Sequence, residues 1–218
     1  MKKLFTLFAV AAMAFAAQAA TLTVADGTDY QSDFPVYGYY ADSEGTISQM
    51  IYPADMLTNL KDNKITGVKF YPDGNITFSC KLELSLMEVE AISYNYIDPE
   101  LIDGATVVAT IDVAKGDETL EFSFEGFEYH GGNLMVQTKV VEEGEYASTS
   151  TYFFGIRPNY DCSCNYYSWW WEVVYSDNFL PKATFTYEAA DVPPTPPTPT
   201  AETASPTFNG YTTDGIHG

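Results

Sequence analysis

The feature that most constrains this chain is an alternation of apolar and polar residues with a period of two. It is clearest in the segment NITFSCKLELSL, residues 75–86. Successive side chains of a β-strand point to opposite faces, so this alternation predicts a strand with one buried face. The apolar positions shift to Met87 and Val89 immediately afterwards, which indicates a β-bulge or the end of the strand. The predicted buried residues are Ile76, Phe78, Cys80, Leu82, Leu84 and Leu86.

Further segments repeat this pattern and are separated by turn residues, such as the PDGN of 72–75 and the HGGN of 130–133. A helical pattern is confined to one stretch near 53–61, which has a proline in its first turn and a short apolar stripe. We therefore predict an all-β fold, an antiparallel two-sheet β-sandwich of jelly-roll type with one short helix near 53–61. The residues predicted to share one face within each further strand are Val107, Ala109, Ile111 and Val113; Leu120, Phe122 and Phe124; Leu134, Val136 and Val140; Tyr152, Phe154 and Ile156; and Ala183, Phe185 and Tyr187.

The first residues have the layout of a secretory signal peptide. Lys2 and Lys3 form a positively charged start, and Leu4–Ala16 is an apolar stretch too short to span a membrane. Ala17-Gln18-Ala19 fits the small-x-small cleavage rule, so we expect residues 1–19 to be removed. The protein is then exported to the cell surface or the extracellular space, with the periplasm as the alternative. No later stretch of the sequence has the run of about 18 apolar residues that a transmembrane helix needs.

The other end of the chain has a linker-like composition. Residues 191–206, DVPPTPPTPTAETASP, are rich in proline and threonine. Proline removes backbone donors and favours an extended conformation, so this segment predicts a semi-stiff linker after a β-sandwich domain at 20–190. Residues 207–218 are too few to bury a core. We expect them to be the start of a truncated second module or a disordered tail.

The chain is strongly acidic, with 30 Asp and Glu against 10 Lys and Arg and a formal net charge of −20. This charge repels phosphate backbones and anionic lipid surfaces, and it excludes nucleic acid as an expected partner. We expect no cofactor, with calcium as the one alternative, although no D-x-[DN]-x-[DN]-G loop is present. The acidic residues that could supply calcium with oxygen ligands are Asp26, Asp29 and Asp33, and Glu142, Glu143 and Glu145.

The chain has three cysteines, Cys80, Cys162 and Cys164. A C-x-C spacing alone is a weak zinc signal, because a structural zinc site takes four ligands and the chain has 2 histidines. The alternation places Cys80 in an inward slot, so we expect it to be buried and unpaired. We expect Cys162 and Cys164 to form a pair in a loop.

The run NYYSWWWEVVY, residues 165–175, places three tryptophans in a row. If the run is one regular strand, its odd-numbered face is apolar throughout, so Trp169 and Trp171 belong to the core. Trp170 then points outward with Tyr166 and Glu172 beside it. A bulge within the run would reverse this assignment, and a loop at 159–165 could cover Trp170. Tyr37 and Tyr39, in VYGYY, are weaker candidates for the same kind of exposed aromatic surface.

Three stretches resemble a β-sandwich module that recurs in secreted and surface multidomain proteins of Bacteroidota. Residues 22–57 resemble its opening, with a strand, a DGT turn, an aromatic strand at the YGYY sequence and a short helical turn. Residues 65–71 (ITGVKFY) resemble its next core strand, and residues 127–140 (FEYHGGNLMVQTKV) its late hairpin. The resemblance implies a β-sandwich beside linkers and neighbouring modules of the same polypeptide. It implies no ligand, because the module has no established one.

These features favour a non-catalytic, adhesin-like module over an enzyme. His130 lies in a predicted turn and His217 in the tail, and neither belongs to a recognisable catalytic or metal motif. An outward aromatic with polar neighbours can stack on a sugar or anchor a protein, so we expect adhesion or recognition of a glycan or a host or surface protein through Trp170, Tyr166, Glu172, Tyr37 and Tyr39. The alternatives are a purely structural spacer or assembly module, and an accessory domain of a secreted glycosidase or peptidase.

The signal-peptide prediction has a direct test. We expect the exported protein to begin at or near Ala20, because signal peptidase cleaves after a small-x-small site that follows a short apolar stretch. N-terminal sequencing of the exported protein checks this, and an intact Met1 on that protein would contradict it.

Overall fold

The computed structural model describes residues 19–168 and 170–189, which form thirteen β-strands and two short 3-10 helices. The helices are Gly38–Tyr40 and Ala54–Leu60. The predicted signal peptide, Pro/Thr-rich linker and tail lie outside the described residues, apart from Ala19. The strands are β1 (Ala20–Val24), β2 (Asp29–Gln31), β3 (Ile47–Tyr52), β4 (Asn63–Phe70), β5 (Cys80–Val89), β6 (Thr106–Val113), β7 (Leu120–Tyr129), β8 (Asn133–Glu142), β9 (Phe153–Ile156), β10 (Ser163–Ser168), β11 (Glu172–Asp177), β12 (Leu180–Pro181) and β13 (Ala183–Ala189).

Two antiparallel sheets pack face to face around the main core. One sheet has the strand order β1-β13-β4-β7, and the other has the order β11-β10-β3-β8-β5-β6. A small third sheet, β12-β9-β2, lies at one side. The order β1-β13-β4-β7 opposite β3-β8-β5-β6 is that of an eight-stranded jelly roll, in which the chain crosses repeatedly between the sheets. The predicted sandwich is therefore confirmed, and the β10–β11 hairpin is an addition at the free edge of β3.

The alternation that predicted the first strand does mark a buried face. All six apolar residues from Ile76 to Leu86 are buried in the main core. Regular strand pairing begins only at Cys80. Before it, the backbone of Ile76 bonds to Gly116 and Asp117 in a turn, and the Thr77 amide donates to the Thr151 side chain. The strand then continues through Met87 to Val89, and the bulges lie in its partners, β6 and β8.

Two of the predicted faces differ from the structure. In β6, Ala109 pairs with Leu84 but Val107 pairs with Ser85, so Val108 is an extra residue. This bulge turns Val107 out to solvent, whereas Ala109, Ile111 and Val113 pack on the core as predicted. In β9 the fully buried aromatic residue is Phe153, so residues 152, 154 and 156 occupy the more exposed positions.

The predicted short helix is present as the 3-10 helix Ala54–Leu60, in which Leu57 and Leu60 are buried. The aromatic strand that the resemblance implied at the YGYY sequence is absent from the described residues. These residues form the 3-10 helix Gly38–Tyr40 instead, and Gly38 lies directly against the ring of Phe78, where a Cβ would overlap it. The turn brings Tyr40 against Tyr167 of β10 and Tyr39 against Tyr146.

The outer face of the six-stranded sheet is covered by the β5–β6 loop, residues 90–105. Its anchor is Gln49, a buried residue of β3. The Gln49 amide donates to the Ile102 carbonyl (2.8 Å), and its oxygen accepts from the Tyr94 hydroxyl (3.0 Å) and the Ile102 amide (2.9 Å). A second apolar cluster of Ile51, Tyr94, Met135 and Cys164 lies beneath this loop.

All three cysteines are free and buried, which confirms the prediction for Cys80. The predicted Cys162–Cys164 pair is wrong. Cys162 lies just before β10 and packs into the main core, whereas Cys164 packs into the second cluster on the opposite face of the sheet. Burial raises the pKa of each of the three thiols to about 12.

These thiols should be inert in the native protein. The thiolate is the reactive form, and burial both raises the pKa and blocks access. We expect a thiol reagent at neutral pH to label less than one cysteine per folded chain and three per chain in denaturant. Mass spectrometry of the labelled chains checks this. Rapid labelling of Cys80 in the folded protein, or a disulfide between any two cysteines, would contradict the burial.

Candidate functional site

Trp170 and Trp171 lie at a hairpin turn and not within one strand. The last residue pair of the β10–β11 hairpin is Ser168 and Glu172, so both tryptophans follow the end of β10 and precede β11. Trp170 and Trp171 are 75% and 69% exposed at this tip. The prediction that Trp171 is core is therefore wrong, because the chain reverses direction where strand alternation was assumed to continue. Trp169 lies outside the described residues.

The two faces of the hairpin have different partners. Tyr167, Val173 and Tyr175 share the face that continues the core side of the sheet. Tyr166 and Glu172 lie on the opposite face, where the Tyr166 hydroxyl donates to Glu172 Oε1 at 3.2 Å. The segment 159–165, considered as a possible cover for Trp170, leads into β10 and leaves the tip exposed.

Five tyrosines pack together beside this hairpin and are named here the tyrosine cluster. The ring of Tyr40 stacks on Tyr167 with centroids 4.1 Å apart and planes 16° from parallel. Tyr37 meets both rings edge to face, at 4.9 and 5.4 Å. Tyr39 and Tyr146 also meet edge to face, and the Tyr146 hydroxyl donates to the Tyr39 hydroxyl at 3.0 Å. The members of the cluster are Tyr37, Tyr39, Tyr40, Tyr146 and Tyr167.

Two neighbouring depressions beside this cluster and the hairpin tip are together named here the aromatic groove. Its two parts share Tyr40 as a lining residue, and their volumes are about 590 Å³ and 150 Å³. The larger volume is within the range of about 300–1,000 Å³ that small-molecule sites in proteins occupy. The larger part is lined by Tyr39, Tyr40, Asp42, Ser43, Tyr146 and Ser168, and the smaller part by Tyr40, Tyr167, Trp170, Trp171 and Val173.

Backbone contacts hold the three segments of the groove together. Ser43 Oγ donates to the Ser168 carbonyl at 3.0 Å, which joins the segment after Tyr40 to the hairpin. The Gly144 amide donates to the Ala41 carbonyl at 2.9 Å, which joins the loop carrying Tyr146 to the same segment. Residue 144 has to be glycine, because a Cβ there would overlap the carbonyl of Ser79. The groove is therefore built by tertiary contacts between distant parts of the chain.

The base of the hairpin is fixed by Asp33. Its carboxylate accepts a hydrogen bond from the Tyr175 hydroxyl at 2.7 Å, and its backbone carbonyl accepts one from Asn165 Nδ2 at 2.9 Å. Burial and the neighbouring Asp33 carboxylate raise the pKa of Tyr175 well above its usual range. Tyr175 therefore stays protonated and acts as a donor that ties β11 to the segment before the first 3-10 helix.

The hydroxyls of Tyr40 and Tyr146 also stay protonated at neutral pH. Burial raises the pKa of Tyr40, with a further contribution from Tyr167. The hydrogen bond to Tyr39 raises the pKa of Tyr146. These hydroxyls consequently offer both donor and acceptor positions to a ligand.

The structure brings together some of the predicted site residues and separates others. Trp170 and Tyr39 line the groove, and Tyr37 packs beneath it within the tyrosine cluster. Tyr166 and Glu172 lie on the other face of the hairpin. The one sequence signal for Tyr146 is an aromatic residue in an acidic loop, and Asp42 and Ser43 give none. The groove residues that were not predicted from the sequence are Tyr40, Asp42, Ser43, Tyr146, Tyr167, Ser168, Trp171 and Val173.

Some of the residues in the acidic clusters, and His130, have other partners. Asp26 pairs with Lys182 at 2.6 Å, and Asp33 is engaged by Tyr175. Glu88 accepts hydrogen bonds from His130 Nδ1 (2.9 Å) and from the His130 and Gly132 amides, so Glu88 holds the β7–β8 turn and His130 is part of that turn. Among residues 19–168 and 170–189, no group of three or more His, Cys, Asp or Glu side chains is placed to hold a metal ion. Calcium binding stays a prediction.

A comparison of the chain with known protein families, curated proteins and solved structures finds no match. In the part of the chain that the structure describes, no helix has the length and apolar character needed to cross a bilayer.

The hairpin tip should contribute little to folding. Trp170→Ala and Trp171→Ala should each lower the free energy of unfolding by no more than about 0.5 kcal/mol, as is usual for exposed positions. Tyr167→Ala should cost about 2 kcal/mol, because it removes a half-buried ring stacked on Tyr40. Urea denaturation of the three variants checks this. A large loss for Trp171→Ala would show that the indole is core and that the exposed tip is wrong.

Proposed function

We propose that this chain is a non-catalytic recognition module of an exported or cell-surface protein, and that it binds its ligand in the aromatic groove. One observation carries the proposal: Trp170 and Trp171 are both exposed at a hairpin tip that borders a groove lined by tyrosines. Large exposed aromatics that gather beside a concave surface are typical of binding sites, because they offer apolar area next to polar groups.

The exposed indoles of Trp170 and Trp171 contribute little to folding, since they remain in contact with water. Their presence at the tip is therefore better explained by ligand binding than by stability. The hairpin that carries them lies outside the eight strands of the jelly roll and is held in place by specific hydrogen bonds to Asp33 and Ser43. A firmly anchored hairpin that exposes apolar side chains at its tip is typical of a surface that contacts a partner.

The groove chemistry favours binding over catalysis. Asp42 is the one carboxylate among the described residues that line it, whereas glycosidases commonly use a pair of carboxylates. The exported location rests on the signal-peptide layout of residues 1–19, and the surface-protein context rests on the linker-like residues 191–206 and on the resemblance to a module of Bacteroidota surface proteins. An accessory domain of a secreted hydrolase uses the same kind of groove.

A second candidate function, a structural spacer or assembly module, is favoured by one separate observation. In the β5–β6 loop, Tyr96 and Ile97 are 80% and 90% exposed. This apolar projection on the outer side of the six-stranded sheet suits contact with a neighbouring module of the same polypeptide. The groove is then a surface feature without a ligand.

Paired variants separate these two functions. We expect the protein carrying both Trp170→Ala and Trp171→Ala to fold normally and to lose binding to every ligand found in a screen of immobilised polysaccharides, extracellular-matrix proteins and peptides. Tyr96→Ala removes an equally exposed aromatic at a distant site and should keep that binding. If the double variant binds as the unmodified protein does, the assignment of binding to the aromatic groove is wrong. If the unmodified protein binds nothing in the screen, the recognition function is wrong and the spacer function is favoured.

A further inference from the structure

We propose that the aromatic groove takes an uncharged glycan chain. This inference rests on the proposed recognition function and adds the chemical class of the ligand. Three features of the groove support a neutral glycan: its charge, its flat apolar surfaces and its hydroxyl groups.

The charge of the groove disfavours acidic ligands. Its described lining residues include Asp42 and no lysine or arginine. The whole chain adds a formal net charge of −20, so the surrounding field is also negative. Glycans with sulfate, phosphate or carboxylate groups would approach an unpaired like charge, which costs affinity and slows association. The remaining candidates are neutral and cationic ligands.

The aromatic surfaces suit the rings of a sugar. A pyranose has a face of C–H groups that packs against an indole or phenol ring, and this contact needs a flat side chain open to solvent. Trp170 and Trp171 have that exposure, and both border the smaller part of the groove. Tyr40 lines both parts, so they lie side by side, and a chain of sugar units that passes over Tyr40 contacts both parts.

The polar groups of the larger part are hydroxyls rather than charges. Its lining offers five hydroxyl groups, on Tyr39, Tyr40, Ser43, Tyr146 and Ser168, and one carboxylate. Tyr146 donates to Tyr39, which leaves the Tyr39 proton to donate to a ligand. Ser43 donates to the Ser168 carbonyl, which leaves the oxygen of Ser43 to accept. Sugar hydroxyls both donate and accept, so they match this mixture.

A cationic peptide is a poorer match for the same lining. A buried ammonium or guanidinium group is stabilised by carboxylates that replace its lost water, and the described lining supplies one, Asp42. The five hydroxyls would then remain incompletely paired. The hydroxyls of a neutral glycan can form hydrogen bonds with these five hydroxyls, and they can also donate to the Asp42 carboxylate.

Affinity electrophoresis through gels that contain soluble polysaccharides tests this inference. The neutral probes are a mixed-linkage β-glucan, a galactomannan and an α-glucan; polygalacturonate and chondroitin sulfate are the acidic probes, and a lysine octapeptide, measured by calorimetry, is the cationic probe. We expect at least one neutral probe to retard the protein to an extent that added salt does not change, because no net charge is neutralised on binding. We expect the acidic and cationic probes to have no effect.

The variants assign the binding to the groove. Trp170→Ala and Trp171→Ala should each weaken binding of the neutral glycan about tenfold, which is about 1.4 kcal/mol, since each removes a flat ring on which a sugar can stack. Asp42→Asn should weaken it only a few-fold, because an amide oxygen still accepts a hydrogen bond. Tyr96→Ala is the matched control and should leave the affinity unchanged.

The outcomes distinguish this inference from the function on which it rests. One outcome is that no neutral glycan binds, but the lysine octapeptide or an acidic polymer does, and Trp170→Ala and Trp171→Ala abolish that binding. This result overturns the glycan inference and leaves the recognition function intact. Neutral-glycan binding that both tryptophan variants retain overturns the assignment to the groove and the proposed function with it. If no probe binds the unmodified protein, the glycan inference is overturned, and the protein and peptide arms of the broader screen decide the function.

Discussion

The backbone pairing between β3 and β10 is the interaction on which the rest of the site depends. It adds the β10–β11 hairpin to the free edge of a jelly roll whose sheet would otherwise end at β3. The pairing stops at Ile47 and Tyr166, so Tyr167 and the tip project beyond the sheet. Beyond the end of this pairing, Tyr167 packs against the 3-10 helix Gly38–Tyr40, because its ring stacks on the ring of Tyr40.

Strand alternation predicted the fold well because most strands have one buried face. The residues from Ile76 to Leu86 are the clearest case, since each apolar position enters the core. Alternation fails where an extra residue enters a strand, as at Val108, since one added residue reverses every face after it. It also failed for Trp171, because a hairpin turn made of bulky aromatics carries none of the usual Gly, Asn or Asp signals.

The candidate site was harder to predict than the fold. Trp170 could be found from its local sequence, but the groove joins residues near 40, 146 and 168, which have no sequence relation to one another. Their proximity depends on contacts such as the Gly144 amide with the Ala41 carbonyl, and these are set by the tertiary fold. The role of the buried Gln49 could not be predicted either. The alternation of a strand does not indicate that one of its polar residues will anchor a loop on the outer face of the sheet.

The β10–β11 hairpin lies outside the eight-stranded roll, so substitutions at its tip and substitutions in the core strands have different consequences. The core strands bury their side chains against one another, so a substitution there disturbs many neighbours. At the tip, a new side chain meets mostly water. The Asp33 contacts lie nearer the base, and Ser43 bonds to the backbone carbonyl of Ser168, so a changed side chain at the tip leaves both in place. Related chains could therefore diverge in what they recognise while keeping one fold, and the hairpin is the natural place to graft a different specificity.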